Sequence, residues 1–189
     1  DHSDQFSNKL TSNLAATYNA ADDVRIKAAI GQGYKTPTVN DLYIFWEMYA
    51  QNPGGPGQFY VGNPDLKPEK SLSYELSVEK DWGDRSTVHL GVFRSEVKDL
   101  ISTYWTGKLT DDDQDLYPGV NGDQVMAYKN IPEATLQGVE LYGSHRLGKN
   151  IYLNAGYTFL DAKDKTNGTR LKDRAKHQVT SGVGYQPEN

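Results

Sequence analysis

Apolar residues recur at every second position along most of this chain, so its dominant period is that of an extended strand and not of a helix. Leu10, Leu14, Ala16 and Tyr18 share one parity, and Lys9, Thr11, Asn13 and Thr17 take the other. Val24, Ile26, Ala28 and Ile30 alternate with Arg25, Lys27 and Gly31, and Tyr74, Leu76 and Val78 alternate with Ser73, Glu75 and Glu79. The same interleaving sets Val88, Leu90 and Val92 against His89 and Gly91, and Val139 and Leu141 against Glu140, Tyr142 and Ser144. Ile151, Leu153, Ala155, Tyr157 and Phe159 oppose Tyr152, Asn154 and Thr158, and Val179, Val183 and Tyr185 oppose Gln178, Thr180 and Gly184. The pattern predicts about seven strands of about ten residues, the length at which a tilted strand crosses a bilayer. Strands of soluble domains run nearer to about 5–6 residues.

The connections carry more information than the strands. Ala20 to Asp23, Gly83-Asp84 and Leu147 to Asn150 read as short polar turns. Between them lie three long segments, Tyr34 to Lys70, Leu100 to Lys129 and Asp161 to Arg174. Loops above about 12–15 residues are uncommon in a compact domain. Strict alternation of short and long connections arises when antiparallel strands cross one layer and one side of that layer carries function. A soluble sandwich, with its apolar parity turned to a core, competes with a membrane barrel, whose apolar parity faces lipid. Three features favour the barrel. The polar parity is rich in Gly, Ser, Thr and Asn with scattered charges; aromatics (Tyr18, Trp82, Tyr157, Phe159, Tyr185) gather near strand ends; and the connections are lopsided. The expected fold is therefore all-β: an antiparallel transmembrane β-barrel fragment of about seven strands with short periplasmic turns and long extracellular loops. An odd strand count would leave backbone groups unpaired in lipid, so residues 1–189 are read as part of a larger barrel.

Composition narrows the function. The chain has 189 residues, a net charge of −5, 18 glycines, 13 tyrosines and no cysteine. Such a chain is neither a helical bundle nor a disordered tail. Disulfide scaffolds, thiolate zinc sites and thiol catalysis are excluded, and the acidic balance argues against nucleic acid as a partner. No apolar run approaches the roughly 18 residues of a spanning helix, which leaves a barrel untouched. Enzyme signatures such as Gly-x-Ser-x-Gly, His-Glu-x-x-His and the phosphate loop are missing, so no enzyme is expected. A soluble β-sheet binding module or adhesin repeat is the alternative from another class, and a passive porin is a third.

Four segments carry a resemblance to a known family. Gly31-Gln-Gly-Tyr-Lys-Thr-Pro-Thr-Val-Asn-Asp-Leu-Tyr43 resembles the segment that enters an extracellular loop in TonB-dependent outer-membrane receptors. Gly62-Asn-Pro-Asp-Leu-Lys-Pro-Glu-Lys-Ser-Leu-Ser-Tyr-Glu-Leu76 is similar to the segment leaving that loop. Here Asn63-Pro64 starts a turn, Pro68 holds Lys67 extended, and ladder pairing begins near Glu69. Asn130 to Glu140, and Tyr157 to Lys163 followed by Leu171 to Gln178, resemble later strands of the same barrels. The chain departs from the family pattern in having Tyr-Lys-Thr-Pro at the entry segment, and the family's plug, TonB box and remaining strands are expected outside residues 1–189. The resemblance implies a bacterial outer-membrane receptor that imports a ferric siderophore, or haem or cobalamin, with energy relayed by TonB through the missing N-terminal part.

Candidate ligand contacts follow from the long connections. Tyr43, Phe45, Trp46, Tyr49, Phe59 and Tyr60 share the first of them with a Pro-Gly cluster at Pro53 to Gly57, and such rings suit a flat or catechol-bearing ligand; the alternative is that they pack the loops on each other. Leu42 to Ala50 is expected to form one or two helical turns after Asn40. Arg170, Lys172 and Arg174, with Lys176 and His177, form a basic stretch that would attract an anionic ferric chelate or bind lipopolysaccharide phosphate in the outer-membrane lipid, unless it is a solvated charge run. Tyr104 and Trp105 read as interfacial girdle residues or a loop anchor. Asp111 to Asp115 places carboxylates at the first three ligand positions of an EF-hand, but Leu116 and Gly122 stand where Gly and Glu are required, so an EF-hand is rejected and a simple loop cation site is kept as the lesser alternative. Haem would take a His or Tyr ligand; His89, His145 and His177 lie on or beside strands, which ranks haem below siderophore. No cofactor and no resident metal are expected.

Overall fold

A computed structural model describes residues 6, 9–48, 58–105 and 125–186. Nine strands and one short helix follow one another: β1 (Asn13–Ala21), β2 (Val24–Lys35), α1 (Val39–Tyr43), β3 (Phe45–Met48), β4 (Gln58–Val61), β5 (Glu69–Trp82), β6 (Ser86–Trp105), β7 (Val125–Leu147), β8 (Ile151–Asp164) and β9 (His177–Tyr185). Hydrogen bonding links them into one sheet, in which β1, β2, β5, β6, β7, β8 and β9 follow in sequence order and β4 and β3 branch from β7. The expected seven strands are that consecutive series. The β1/β2, β7/β8 and β8/β9 pairs are antiparallel.

Two differences from the expected architecture stand out. The β4/β7 pair is parallel, so the sheet is not antiparallel throughout. The first long connection is also not a plain loop, because it contains α1, β3 and β4. Its helix covers Val39–Tyr43 and not Leu42 to Ala50. Thr38 starts it by a capping box: its Oγ1 accepts from the Asp41 N–H (3.2 Å), and the Asp41 carboxylate accepts from the Thr38 N–H (2.8 Å). Ile44 then turns extended, and the aromatic residues that follow pair as a strand. Strands β6 and β8 run further than the alternation indicated, since β8 carries Asp161 to Asp164 into register with Gln137 to Ala134.

The short turns fall where expected, and Gly83 and Gly148 take left-handed φ values of 57° and 70°, which a side chain rarely adopts. The Asn63-Pro64 turn is present, closed by Asp65 N–H donating to Asn63 Oδ1 (2.9 Å), and β5 begins at Glu69.

By contact, the chain divides into two compact units: one holds Tyr34–Lys70 and Lys98–Pro132, and the other holds Leu10–Gly33, Ser71–Val97 and Glu133–Asn189. In the second unit the two parities have opposite surroundings. On the polar face Arg25 pairs with Glu79 and with Asp81 (2.6 Å), Lys27 with Glu79 (2.9 Å), Asp81 accepts from Thr87 (2.8 Å), and Ser73 donates to Ser95 (2.9 Å). On the apolar face Leu90 (49%), Leu141 (45%), Leu153 (36%) and Val183 (77%) are exposed, and Val88 is only half-buried. A sandwich would bury those side chains against a second layer. A greasy face left open and a polar face cross-linked by ion pairs is the pattern of a sheet made to stand between lipid and a wet interior.

Candidate functional site

The first unit is built around the segment from Thr38 to Leu66. Leu42 of α1 is 2% exposed, and Leu66, Phe59 and Val125 are buried with it. Phe59 and Val125 form an apolar cluster on which Phe45 and Val61 pack, with the Phe45 and Phe59 rings 6.1 Å apart. Two of the rings read from the sequence as ligand contacts are thus placed as packing groups. Their neighbours on the same strands point the other way, as a period of two requires. Trp46 stacks on its register partner Tyr60 at 5.7 Å and stays 52% exposed, and Tyr43 at the end of α1 is 44% exposed. Tyr49, Pro53 to Gly57 and Asp111 to Asp115 lie outside the described residues.

Two asparagines hold this unit together. Asn63 Nδ2 donates to the Tyr128 carbonyl (3.0 Å). Asn130 Oδ1 accepts from the Lys67 N–H (2.8 Å), while its Nδ2 donates to the carbonyls of Lys67 (2.9 Å) and Asp99 (2.7 Å). Glu69 receives the Ile101 N–H at 2.8 Å. Burial raises the Tyr128 hydroxyl above its ordinary value, with Asp41 and Tyr60 adding to the effect, so it stays a neutral phenol. Lys129 places its ammonium 4.7 Å from the centre of the Tyr104 ring, which ties Tyr104 to β7 as an anchor; Trp105 is 47% exposed.

Gly62 is the tightest point. A Cβ there would lie 2.5 Å from the Leu42 carbonyl carbon and from the Tyr43 nitrogen, and its own N–H donates to the Ile44 carbonyl (2.7 Å). Gly62→Ala is expected to force β4 off α1 and destabilise this unit by about 2 kcal/mol. Faster cleavage of residues 34–70 by an external protease, with barrel folding unchanged, is the measurement; equal cleavage rates would contradict it.

The basic stretch belongs to the second unit. Leu171 is buried and its N–H donates to the Ala162 carbonyl (3.0 Å), pinning the β8–β9 connection and leaving Arg170, Lys172 and Arg174 exposed. The Arg170 guanidinium donates to the Arg174 carbonyl (2.7 Å), which folds the connection on itself. His177 opens β9, with Nδ1 2.9 Å from the Tyr157 hydroxyl, and His145 Nδ1 lies 2.7 Å from Ser86 Oγ. Among the described residues no cluster of His, Cys, Asp or Glu could hold a metal ion.

Sequence reasoning reached the aromatic segment and the cations. It missed the asparagine clamp and the parallel β4/β7 pair, because Asn63 and Asn130 carry turn-like signals whose long-range partners no local pattern reveals.

The family model described as TonB dependent receptor-like, beta-barrel, matches residues 1–189. The Vitamin B12 transporter BtuB of Photobacterium profundum is 32% identical over 193 aligned residues, covering 100% of this chain and 27% of that protein. The Iron-regulated outer membrane virulence protein of Vibrio cholerae is 26% identical over 191 residues, covering 98% of this chain and 28% of that protein. Among solved structures, the siderophore receptor PirA from Acinetobacter baumannii superposes with a TM-score of 0.62 at 22% identity, over 95% of this chain and 27% of that one. The chain therefore spans about a quarter of the length of the relatives it matches.

Proposed function

Because this chain belongs to the TonB-dependent receptor β-barrel family, we propose that it is the part of a bacterial outer-membrane receptor that contributes a ligand-contacting surface for import of a ferric siderophore or similar scarce metal chelate. Energy would come from TonB, through a part of the receptor outside these 189 residues. The observation that carries the reading is the Trp46–Tyr60 stack, in which Trp46 is exposed and Tyr60 half-buried, while Phe45 and Phe59 on the same two strands supply the packing behind it. A ring pair held rigid by a buried apolar cluster offers a flat face at little entropic cost. The ligand is bound and passed on, with no bond made or broken in it. Arg170, Lys172 and Arg174 add positive charge that favours an anionic chelate.

Deletion of the gene for the full-length receptor is expected to abolish growth on one ferric siderophore supplied as sole iron source. In the complemented strain Trp46→Ala is expected to raise the concentration for half-maximal uptake about tenfold, and Phe45→Ala to act through loss of folded loop instead. A second reading, import of cobalamin, is favoured by the 32% identity to the Photobacterium profundum transporter over the whole chain. It predicts that the deletion strain keeps growing on every iron source and loses cobalamin-dependent growth.

A further inference from the structure

The Trp46–Tyr60 pair belongs to a longer row. Antiparallel pairing sets Tyr60 beside Trp46 on one flank, and parallel pairing of β4 with β7 sets it beside Met126 on the other. Side chains aligned across neighbouring strands share a face, and a period of two adds Gly62 and Tyr128 to the face of Trp46, Tyr60 and Met126. The opposite face is the one packed by Phe45, Phe59 and Val125. Trp46 is exposed, and Tyr60, Met126 and Tyr128 are half-buried. A thioether beside the rings extends their apolar surface.

One end of this row is a corner. A Cβ on Gly62 would run into the backbone of Leu42 and Tyr43, so the last turn of α1 stands on this face of the sheet. Tyr128 lies one step past Ala127, the register partner of Val61, and so beside Gly62 and the helix. Its carbonyl accepts from Asn63 Nδ2 (3.0 Å), which fixes the backbone there. Its hydroxyl bonds to none of the described residues. Among them Thr135 Oγ1 is the one buried side-chain polar atom left without a partner, so the phenol oxygen of Tyr128 is open to solvent. Burial, then Asp41 and Tyr60, keep that phenol protonated, which places the Asp41 carboxylate within electrostatic reach of it. Among the described residues the cations that sit on aromatic rings sit on Trp82, Tyr104, Tyr152 and Phe159, and none on this row.

These groups select by charge and by hydrogen-bond sense. A neutral phenol donates to an acceptor. An anionic oxygen at that point would meet the Asp41 carboxylate with no cation to offset it, and a cation has no use for the phenol's proton. An uncharged carbonyl at the edge of a flat ligand uses both the corner and the row. We propose that Tyr128 is a specificity-determining contact of the import site: it donates to an uncharged amide or hydroxamate carbonyl of the chelate, whose flat part lies over Trp46, Tyr60 and Met126. The inference rests on the import reading above and narrows its ligand to a chelate with uncharged carbonyls at its edge. Net negative charge at the metal centre is compatible with it.

The test is isothermal titration of the purified full-length receptor with three probes: a ferric trihydroxamate, cyanocobalamin, and ferric dicitrate, which presents carboxylates at its edge. Wild type is expected to bind one of the first two, and to bind ferric dicitrate more weakly. Tyr128→Phe is expected to weaken the carbonyl-bearing probe about tenfold and ferric dicitrate far less. Asp41→Asn, whose amide oxygen can still accept from the Thr38 N–H, is expected to narrow the gap between the two about fivefold. A structural fault would lower every probe alike. Folding is read from heat-modifiable mobility and from resistance of residues 34–70 to external protease, and if Tyr128→Phe does not fold, the ratio in Asp41→Asn decides alone. Wild-type affinity of folded Tyr128→Phe for the carbonyl-bearing probe would overturn the proposal, as would an unchanged ratio in Asp41→Asn. So would a wild type that prefers ferric dicitrate or binds none of the three. Trp46→Ala separates this proposal from the reading beneath it. If it weakens binding while Tyr128→Phe does not, the aromatic surface stands and the Tyr128 contact falls; if neither changes binding, both fall.

Discussion

Leu90→Arg is expected to destabilise the folded barrel by about 2–4 kcal/mol, the cost of a guanidinium at the middle of a lipid-facing strand. His89→Arg, one residue earlier, is expected to cost less than about 1 kcal/mol, because its side chain enters the face that already carries Arg25, Lys27, Glu79 and Asp81. Leu90 lies between Val88 and Val92 on the apolar parity of β6, exposed to half its surface. The urea midpoint of the full-length receptor refolded into vesicles measures both variants. The contrast between neighbours is what tests the orientation of the sheet. Two variants of equal stability would mean that neither face meets lipid, and a costlier His89→Arg would reverse the two faces. A soluble module predicts a third outcome, in which the wild-type chain folds in water without vesicles.

That orientation was legible in the sequence because a period of two needs only local order to be read. Tyr74, Leu76 and Val78 against Ser73, Glu75 and Glu79 already state which side chains share a face, and the short turns at Gly83 and Gly148 state how neighbouring strands connect. The first long connection was only half legible. Thr38-x-x-Asp41 is a capping box and starts a helix where it stands, but the segment after it reads equally as a continued helix or as a strand. The structure decides for a strand because Phe45 gains the Phe59–Val125 cluster and Trp46 gains the Tyr60 ring, contacts that a local propensity does not contain. For the same reason the sequence marks the aromatic residues as candidates without sorting them. The Phe59–Val125 cluster takes in Phe45 and leaves Trp46 and Tyr43 exposed, and that cluster depends on β7, which arrives long after Phe59 in the chain. The position of Asp161 was missed similarly: its place on β8 opposite Gln137 depends on how far the ladder continues, and ladder ends are set by pairing energy on both strands.

Asn130→Ala is expected to remove about 3 kcal/mol from the first unit, roughly one for each of its three side-chain hydrogen bonds. The side chain bridges both backbone groups of Lys67 and the carbonyl of Asp99, a residue held at a left-handed φ of 56°. It thereby joins two of the segments by which the family was recognised: the turn that starts at Asn63 and the strand that starts its resemblance at Asn130. Asn130→Asp should be as damaging as Asn130→Ala, since a carboxylate keeps the acceptor for the Lys67 N–H but sets a negative charge against two carbonyls. The consequence for function follows from connectivity within the unit. Asn63 reaches Tyr128 and its N–H donates to the Asp41 carbonyl, so release of Lys67 frees the turn that positions α1, and with it Tyr43 and the Trp46–Tyr60 stack. Both variants should therefore show rapid external proteolysis of residues 34–70 and lose high-affinity uptake, while heat-modifiable mobility of the barrel stays as in wild type. Wild-type uptake by a folded Asn130→Ala receptor would show that the ligand surface does not depend on this clamp, and the aromatic stack would then have to be rejected as the contact that sets affinity.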